Sequence, residues 1–219
     1  MDRALRARYE SEAGAAAYAG KYDVSASRRW SSRRETRLVV RLATSLGAEG
    51  GLVLDVPCAA GRLVRPLLGV AKHVTAVDLS PAMVAVAGEA LADEVRAGRA
   101  TVARGSAESL PFADRSFDVV VCWRLLHHLV ERRERVAVLS ECARVARRGV
   151  VASFADRGTW KARFQAMRGR NRRCAKTTPA EMADEAREAG LAVVASRRLS
   201  SLFSLVAGAA LVRAGATAA

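Results

Sequence analysis

Two aspartates each close a short apolar run: Asp55 follows Gly51-Leu52-Val53-Leu54, and Asp78 follows His73-Val74-Thr75-Ala76-Val77. An acid at the end of a second strand is placed to accept hydrogen bonds from both hydroxyls of a ribose, a geometry that serves any adenosine cofactor. The plainer reading has both acids only capping the turns that follow. The turn after Asp55 reads Val56-Pro57-Cys58-Ala59-Ala60-Gly61-Arg62, with a single glycine and with one backbone N–H removed by Pro57. A nicotinamide dinucleotide needs G-x-G-x-x-G so that amides can close on its pyrophosphate, and this turn does not provide them. A cofactor without phosphate tolerates the loss better. The four cysteines (Cys58, Cys122, Cys142, Cys174) are scattered with no C-x-x-C pair, so neither a zinc site nor a disulfide framework is expected, and no metal ligand set is assigned.

Positioning two acids on adjacent strands requires a parallel sheet. GLVLDV (51–56), HVTAVD (73–78), ATVAR (100–104), FDVVVCW (117–123) and GVVASFAD (149–156) read as buried strands. Between them lie helical spacing over 61–71, a helix from Ser80-Pro81 to about Ala97, and ERRERVAVLSECARVARR (131–148). Residues 157–177 read as basic and irregular. TPAEMADEAREAG (178–190) carries Thr178 as N-cap, Pro179 at the first position, Glu181 for a capping box and Gly190 past the end. LAVVASRRL and LFSLVAGAALVRA read as a closing strand pair. Strands alternating with helices define an α/β, doubly wound fold.

The chain has 219 residues, 51% hydrophobic and 26% charged, which suits one globular domain. No apolar run is long enough to span a bilayer, and charged residues stand where a signal peptide would be apolar, so the expectation is a soluble cytoplasmic protein. The net charge is +14, and 32 of the 36 basic residues are arginine. Residues 1–41 carry ten basic and five acidic side chains, and residues 151–180 carry eight and one. These two flanks hold most of the excess. A basic patch of this kind attracts nucleic acid, anionic lipid or an acidic small molecule, or is simply a solvated face.

LVLDVPCAAGRL, VTAVDLSPAMV and GSAESLPFADRSFDVVVCWRLLHHL together resemble class I S-adenosylmethionine-dependent methyltransferases, in particular the small-molecule group that includes quinone-biosynthesis enzymes. The blocks span residues 51–129. The resemblance implies a Rossmann-like, seven-stranded sheet, mostly parallel with an antiparallel closing strand and helices on both faces. It implies one methyltransferase domain over 1–219: an N-terminal helical cap (1–48), a cofactor-binding core (49–156), a basic lid insert (157–177) and a C-terminal helix and strand pair (178–219). By position it implies that Asp55, Pro57, Cys58, Ala59 and Gly61 hold the amino-acid end of S-adenosylmethionine, with Asp55 near the ammonium. Asp78 takes the ribose hydroxyls and Leu79 packs on the adenine. Ser106, Ala107 and Glu108 line the adenine edge, while Cys122, Trp123 and Arg124 face the methionine portion. The family usually has glycine at Pro57 and Ala59 and an acid at Ser106. Ala59 therefore needs a favourable φ, and Ser106 is a weaker acceptor than a carboxylate.

Methyl transfer runs in line from a sulfonium to a nucleophile, so alignment and water exclusion supply much of the rate. For a hydroxyl acceptor the general base is assigned to His128, with His127, Tyr9, Tyr18 and Tyr22 as other candidates. Substrate-facing positions are Tyr18, Tyr22, Trp30, His127, Trp160 and Arg172, since arginines among aromatics suit an acidic or lipid-like acceptor. The expected partner is a small-molecule methyl acceptor taking the methyl on oxygen or nitrogen. RNA on the basic flanks, peripheral contact with a membrane, and a non-catalytic scaffold are the alternatives, and the chain is read as monomer or homodimer.

Overall fold

The computed structural model describes residues 11–20, 25–168, 174–200 and 204–214. Two helices, α1 (Glu12–Gly20) and α2 (Ala26–Ser45), precede β1 (Leu52–Asp55), α3 (Val64–Leu68) and β2 (His73–Asp78). Then come α4 (Pro81–Ala90), α5 (Ala92–Arg96), β3 (Ala100–Arg104), β4 (Phe117–Cys122) and a single 3₁₀ turn at Leu126–His128. The chain closes with α6 (Arg132–Val145), β5 (Ala146–Ala155), α7 (Trp160–Met167), α8 (Pro179–Glu188), β6 (Leu191–Arg198) and β7 (Val206–Arg213). The seven strands form one sheet in the order β3-β2-β1-β4-β5-β7-β6. Pairings from β3 to β5 are parallel, whereas β7 runs antiparallel to both β5 and β6. The doubly wound expectation, with its antiparallel closing strand, is met.

Alternation along the buried strands divides the core into two layers. Leu54, Val120 and Val150 point to the face covered by α6 and α8, where Leu139, Cys142, Met182 and Ala186 pack. Val53, Val119, Val121 and Val151 point the other way, onto Val39 and Leu42 of α2 and Leu67 of α3. The segment read as an N-terminal cap therefore covers one face of the sheet as well. Among the described residues no helix is long and apolar enough to cross a membrane.

Three sequence-level boundaries shift. The helix expected from Ser80 to about Ala97 is interrupted at Leu91, whose side chain turns into the core while Arg65 Nη2 donates to the freed Ala90 carbonyl at 2.7 Å. Residues 61–71 hold only the short α3. The stretch read as irregular after residue 157 contains α7, started by Thr159, whose hydroxyl accepts from Ala162 N at 3.2 Å. The capping box of α8 forms as expected, Thr178 N donating to Glu181 at 2.7 Å and Glu181 N to Thr178 Oγ1 at 3.1 Å.

The layer formed by α6 and α8 carries a buried ion pair. Arg135 donates to Glu185 at 2.5 and 2.9 Å and to the Leu129 and Val130 carbonyls at 2.9 and 2.8 Å. Removing one partner strands a buried charge, because Arg132 reaches Glu185 only at 3.9 Å. Arg135→Leu should cost about 3–5 kcal/mol in denaturant unfolding, and adding Glu185→Leu should recover most of it. A double variant no more stable than the single one would contradict this.

Candidate active site

The strand order reverses between β1 and β4, and the carboxyl ends of these strands open a crevice at that point. The turn after β1 is tied across it. Val56 N donates to Val121 O at 2.9 Å, Cys58 N to Val77 O at 2.8 Å, and Ala59 N to Asp78 Oδ2 at 2.8 Å. The Val56–Pro57 peptide is cis, Gly61 has φ of 76° and Ala59 has φ of 48°. Ala59 thus adopts the left-handed conformation that suits glycine, at a cost of roughly 1–2 kcal/mol for a residue with a Cβ. The hydrogen bond from its amide to Asp78 helps hold it there.

This turn and its neighbours enclose a cavity of about 660 Å³. Of the residues singled out in the sequence, Pro57, Ala59, Asp78, Leu79, Ser106, Ala107 and Glu108 line it. Trp123 and Arg124 from the end of β4, both histidines of the 3₁₀ turn, and Tyr18 of α1 complete the set. The His127 and His128 rings lie 4.0 Å apart between centroids. The backbone of the segment after α7 reaches this corner, Ala175 N donating to His127 O at 2.9 Å.

Other expected residues lie elsewhere. Cys122 points into the core beside Leu139 and Cys142, because alternation along β4 turns it away from the opening. Cys58 is buried and its Sγ donates to Ala59 O at 3.4 Å; burial pushes its thiol far up. Gly61 abuts Leu91, where a Cβ would come within 2.8 Å of the Leu91 side chain. Trp30 and Trp160 are exposed on the outer surface and do not line the cavity. Tyr9, Tyr22 and Arg172 lie outside the described residues.

The acids differ in how their burial is met. Asp78 accepts from Ser80 N at 2.9 Å and from Ala59 N at 2.8 Å; burial raises its pKa and these amides offset part of the rise. Asp55 does not line the cavity: its carboxyl is fully buried, and neither oxygen has a hydrogen-bond partner among the described residues. Burial pushes its pKa up to about 8, with Arg62 acting against the rise and Asp78 adding to it.

Glu35 of α2 was not singled out in the sequence. It is buried, accepts from Trp123 Nε1 at 2.5 Å and from Arg124 at 2.6 and 3.1 Å, and lies 3.6 Å from Arg62. Burial alone would raise its pKa, but Arg124 foremost, with Arg62 and Trp123, holds it below the usual carboxylate value. Arg124 has φ of 61° and donates its backbone N–H to Ser153 Oγ at 2.6 Å, so Glu35 and Ser153 fix a left-handed residue at the cavity wall. One acid among the arginines at 28, 29, 33, 34, 37 and 41 was the available signal. Glu134, Met83 and Leu125 also line the cavity without a sequence-level cue.

A folded state that keeps Asp55 protonated binds a proton that the unfolded chain releases near its ordinary pKa of 3.8. Stability should therefore fall as pH rises from about 4 to about 8 and level off above that. Asp55→Asn should flatten this decline in melting temperature, and an equally steep profile in the variant would remove Asp55 as its source.

Residues 53–149 match the family described as "Methyltransferase domain". An O-methyltransferase from Penicillium expansum is 32% identical over 131 residues, covering 56% of this chain and 48% of that protein. A ubiquinone/menaquinone biosynthesis C-methyltransferase from Geobacter sulfurreducens is 29% identical over 133 residues, covering 58% of this chain and 48% of its own. The chain thus spans about half the length of these curated relatives. The magnesium protoporphyrin IX methyltransferase of Synechocystis PCC 6803, solved with bound S-adenosylhomocysteine, superposes with a TM-score of 0.80 at 22% identity. That superposition covers 97% of this chain and all of the other, and it establishes the shared fold. With the sheet order, the crevice at the strand reversal and the matched segment in agreement, residues 53–149 belong to the class I S-adenosylmethionine-dependent methyltransferase family.

Proposed function

We propose that this chain transfers a methyl group from S-adenosylmethionine to an oxygen or nitrogen of a small molecule held in the cavity described above. The observation that carries the reading is Asp78. It stands on the cavity wall with its carboxylate oriented by two backbone amides, and each oxygen retains a lone pair for a ribose hydroxyl. The residues present fit the cofactor. Leu79 and Met83 offer apolar surface beside Asp78, and Glu108 and Ser106 offer acceptors further along the same wall. Asp55, fully buried and without a hydrogen-bond partner among the described residues, is a carboxyl that a nearby ammonium would ionise.

When bound, S-adenosylmethionine supplies an electrophilic methyl on a positively charged sulfur. The protein aligns the acceptor and keeps water out. The left-handed Arg124, fixed by Glu35, and the 3₁₀ turn that follows it both form part of the cavity wall. We assign His128 as the group that takes a proton from an acceptor hydroxyl, with His127 beside it. Tyr18 of α1, and the backbone at Ala175 that donates to His127 O, stand at the cavity and would help keep the acceptor dry. The O-methyltransferase relative favours oxygen as the acceptor atom.

Calorimetric titration with S-adenosylmethionine and with its demethylated product tests this reading. Asp78→Ala should remove charge-assisted hydrogen bonds worth roughly 1.5–3 kcal/mol each, or about 10- to 150-fold in affinity per bond. Undiminished affinity in the variant would refute the ribose assignment, and no binding by the folded wild-type chain would refute the function.

A further inference from the structure

Helix α7 presents an exposed apolar face. Trp160, Phe164 and Met167 are 64%, 49% and 78% exposed, and Ala162 is the buried side chain on the opposite side. Spaced i, i+4 and i+7, the three fall within about 60° of one another around the helix. Arg163 and Arg168 flank that face on either side, each guanidinium resting on an aromatic ring, at 5.5 Å from Trp160 and 4.3 Å from Phe164. None of these residues lines the main cavity.

The helix and its C-terminal cap carry only cations, Lys161, Arg163 and Arg168, while Arg157 just before it is paired with Glu181 at 2.6 Å. From Arg157 to Lys176 the sequence holds eight basic residues and no acidic one. The first turns of α2 add the exposed Arg28, Arg29 and Arg33, and Trp30, which is 56% exposed. The two regions meet in a second cavity, of about 480 Å³, to which α2 contributes Arg28, Trp30 and Arg34 and α7 contributes Lys161. Among the described residues that line it there is no carboxylate, and Arg34 Nη2 donates to the Leu199 carbonyl at 3.3 Å. The basic flanks, far apart in sequence, thus form one surface with exposed aromatics set among the cations.

We propose that this surface docks the protein on a bilayer that carries anionic lipid. Tryptophan and phenylalanine sit at the headgroup boundary, and arginine and lysine lay their stems on apolar surface while their charges reach phosphate. The cavity of Arg28, Arg34 and Lys161 receives a lipid phosphate, and the face of α7 enters the boundary beside it. Because α7 follows β5 directly, docking brings the carboxyl edge of the sheet, where the main cavity opens, close to the bilayer. The inference does not depend on the methyl-transfer reading.

Co-sedimentation of the full chain with vesicles tests it, comparing pure phosphatidylcholine with an equimolar mixture of phosphatidylcholine and phosphatidylglycerol. The chain should sediment with the anionic vesicles alone and be released as salt rises toward roughly 0.5 M, where screening is short-ranged. Trp160→Ser/Phe164→Ser should weaken partitioning on the order of tenfold, and Arg163→Ser/Arg168→Ser by about 25-fold, from about fivefold per basic side chain. All the changed side chains are exposed, so melting temperatures should match wild type. No retention on anionic vesicles, or retention on them unchanged in both double variants, overturns the proposal. Retention on RNA without retention on vesicles overturns it equally.

Discussion

Burying carboxylates where parallel strands end is the constraint around which this structure is arranged. A carboxylate removed from water must be paired, hydrogen-bonded or protonated. The fold uses all three responses around one crevice. Glu35 is paired with Arg124 and Arg62, Asp78 is held by the amides of Ala59 and Ser80, and Asp55, with no hydrogen-bond partner among the described residues, is pushed toward the neutral acid. The left-handed Ala59 follows from this arrangement, since its N–H must point at Asp78.

The same logic explains why so basic a chain is not basic in one way. Several arginines fasten parts of the fold together: Arg124 on Glu35, Arg135 on Glu185, Arg144 on Glu141 and Asp114, and Arg198 on Asp156. Through Glu35, α2 is joined to the end of β4 and to the turn after β1, so the N-terminal helix belongs to the site's wall as well as to the sheet's cover. Other exposed cations lie on α7 and on the first turns of α2. Total charge says little here, and its distribution separates fasteners from surface.

Much of the frame was legible because local signals and burial agreed. β2 runs from His73 to Asp78 as its apolar pattern implied, and the capping box and Pro179 placed α8. The position of Asp78 followed from counting along a strand. What escaped required knowledge of packing. Period-two alternation places Cys122 and Trp123 on opposite faces, but which face opens to the cavity depends on the helices above. Leu91 breaks a helix because it is drawn into the core, a tertiary effect that propensity does not carry. Thr159 was a visible N-cap for α7, overlooked among arginines and glycine. Glu35, one acid in a stretch rich in arginine, carries no local sign that it is buried against Trp123 and Arg124.

The measurement that bears most directly on the account is the ionisation of Asp55, followed by carbon-detected NMR of its carboxyl group across pH, with and without S-adenosylmethionine. In the free protein the group should titrate near 8, and saturating ligand should move it well down as an ammonium comes to the buried carboxyl. A titration near the ordinary carboxylate value in the free protein, or one that the ligand leaves unchanged, would contradict the picture of a site built around an unpaired buried acid.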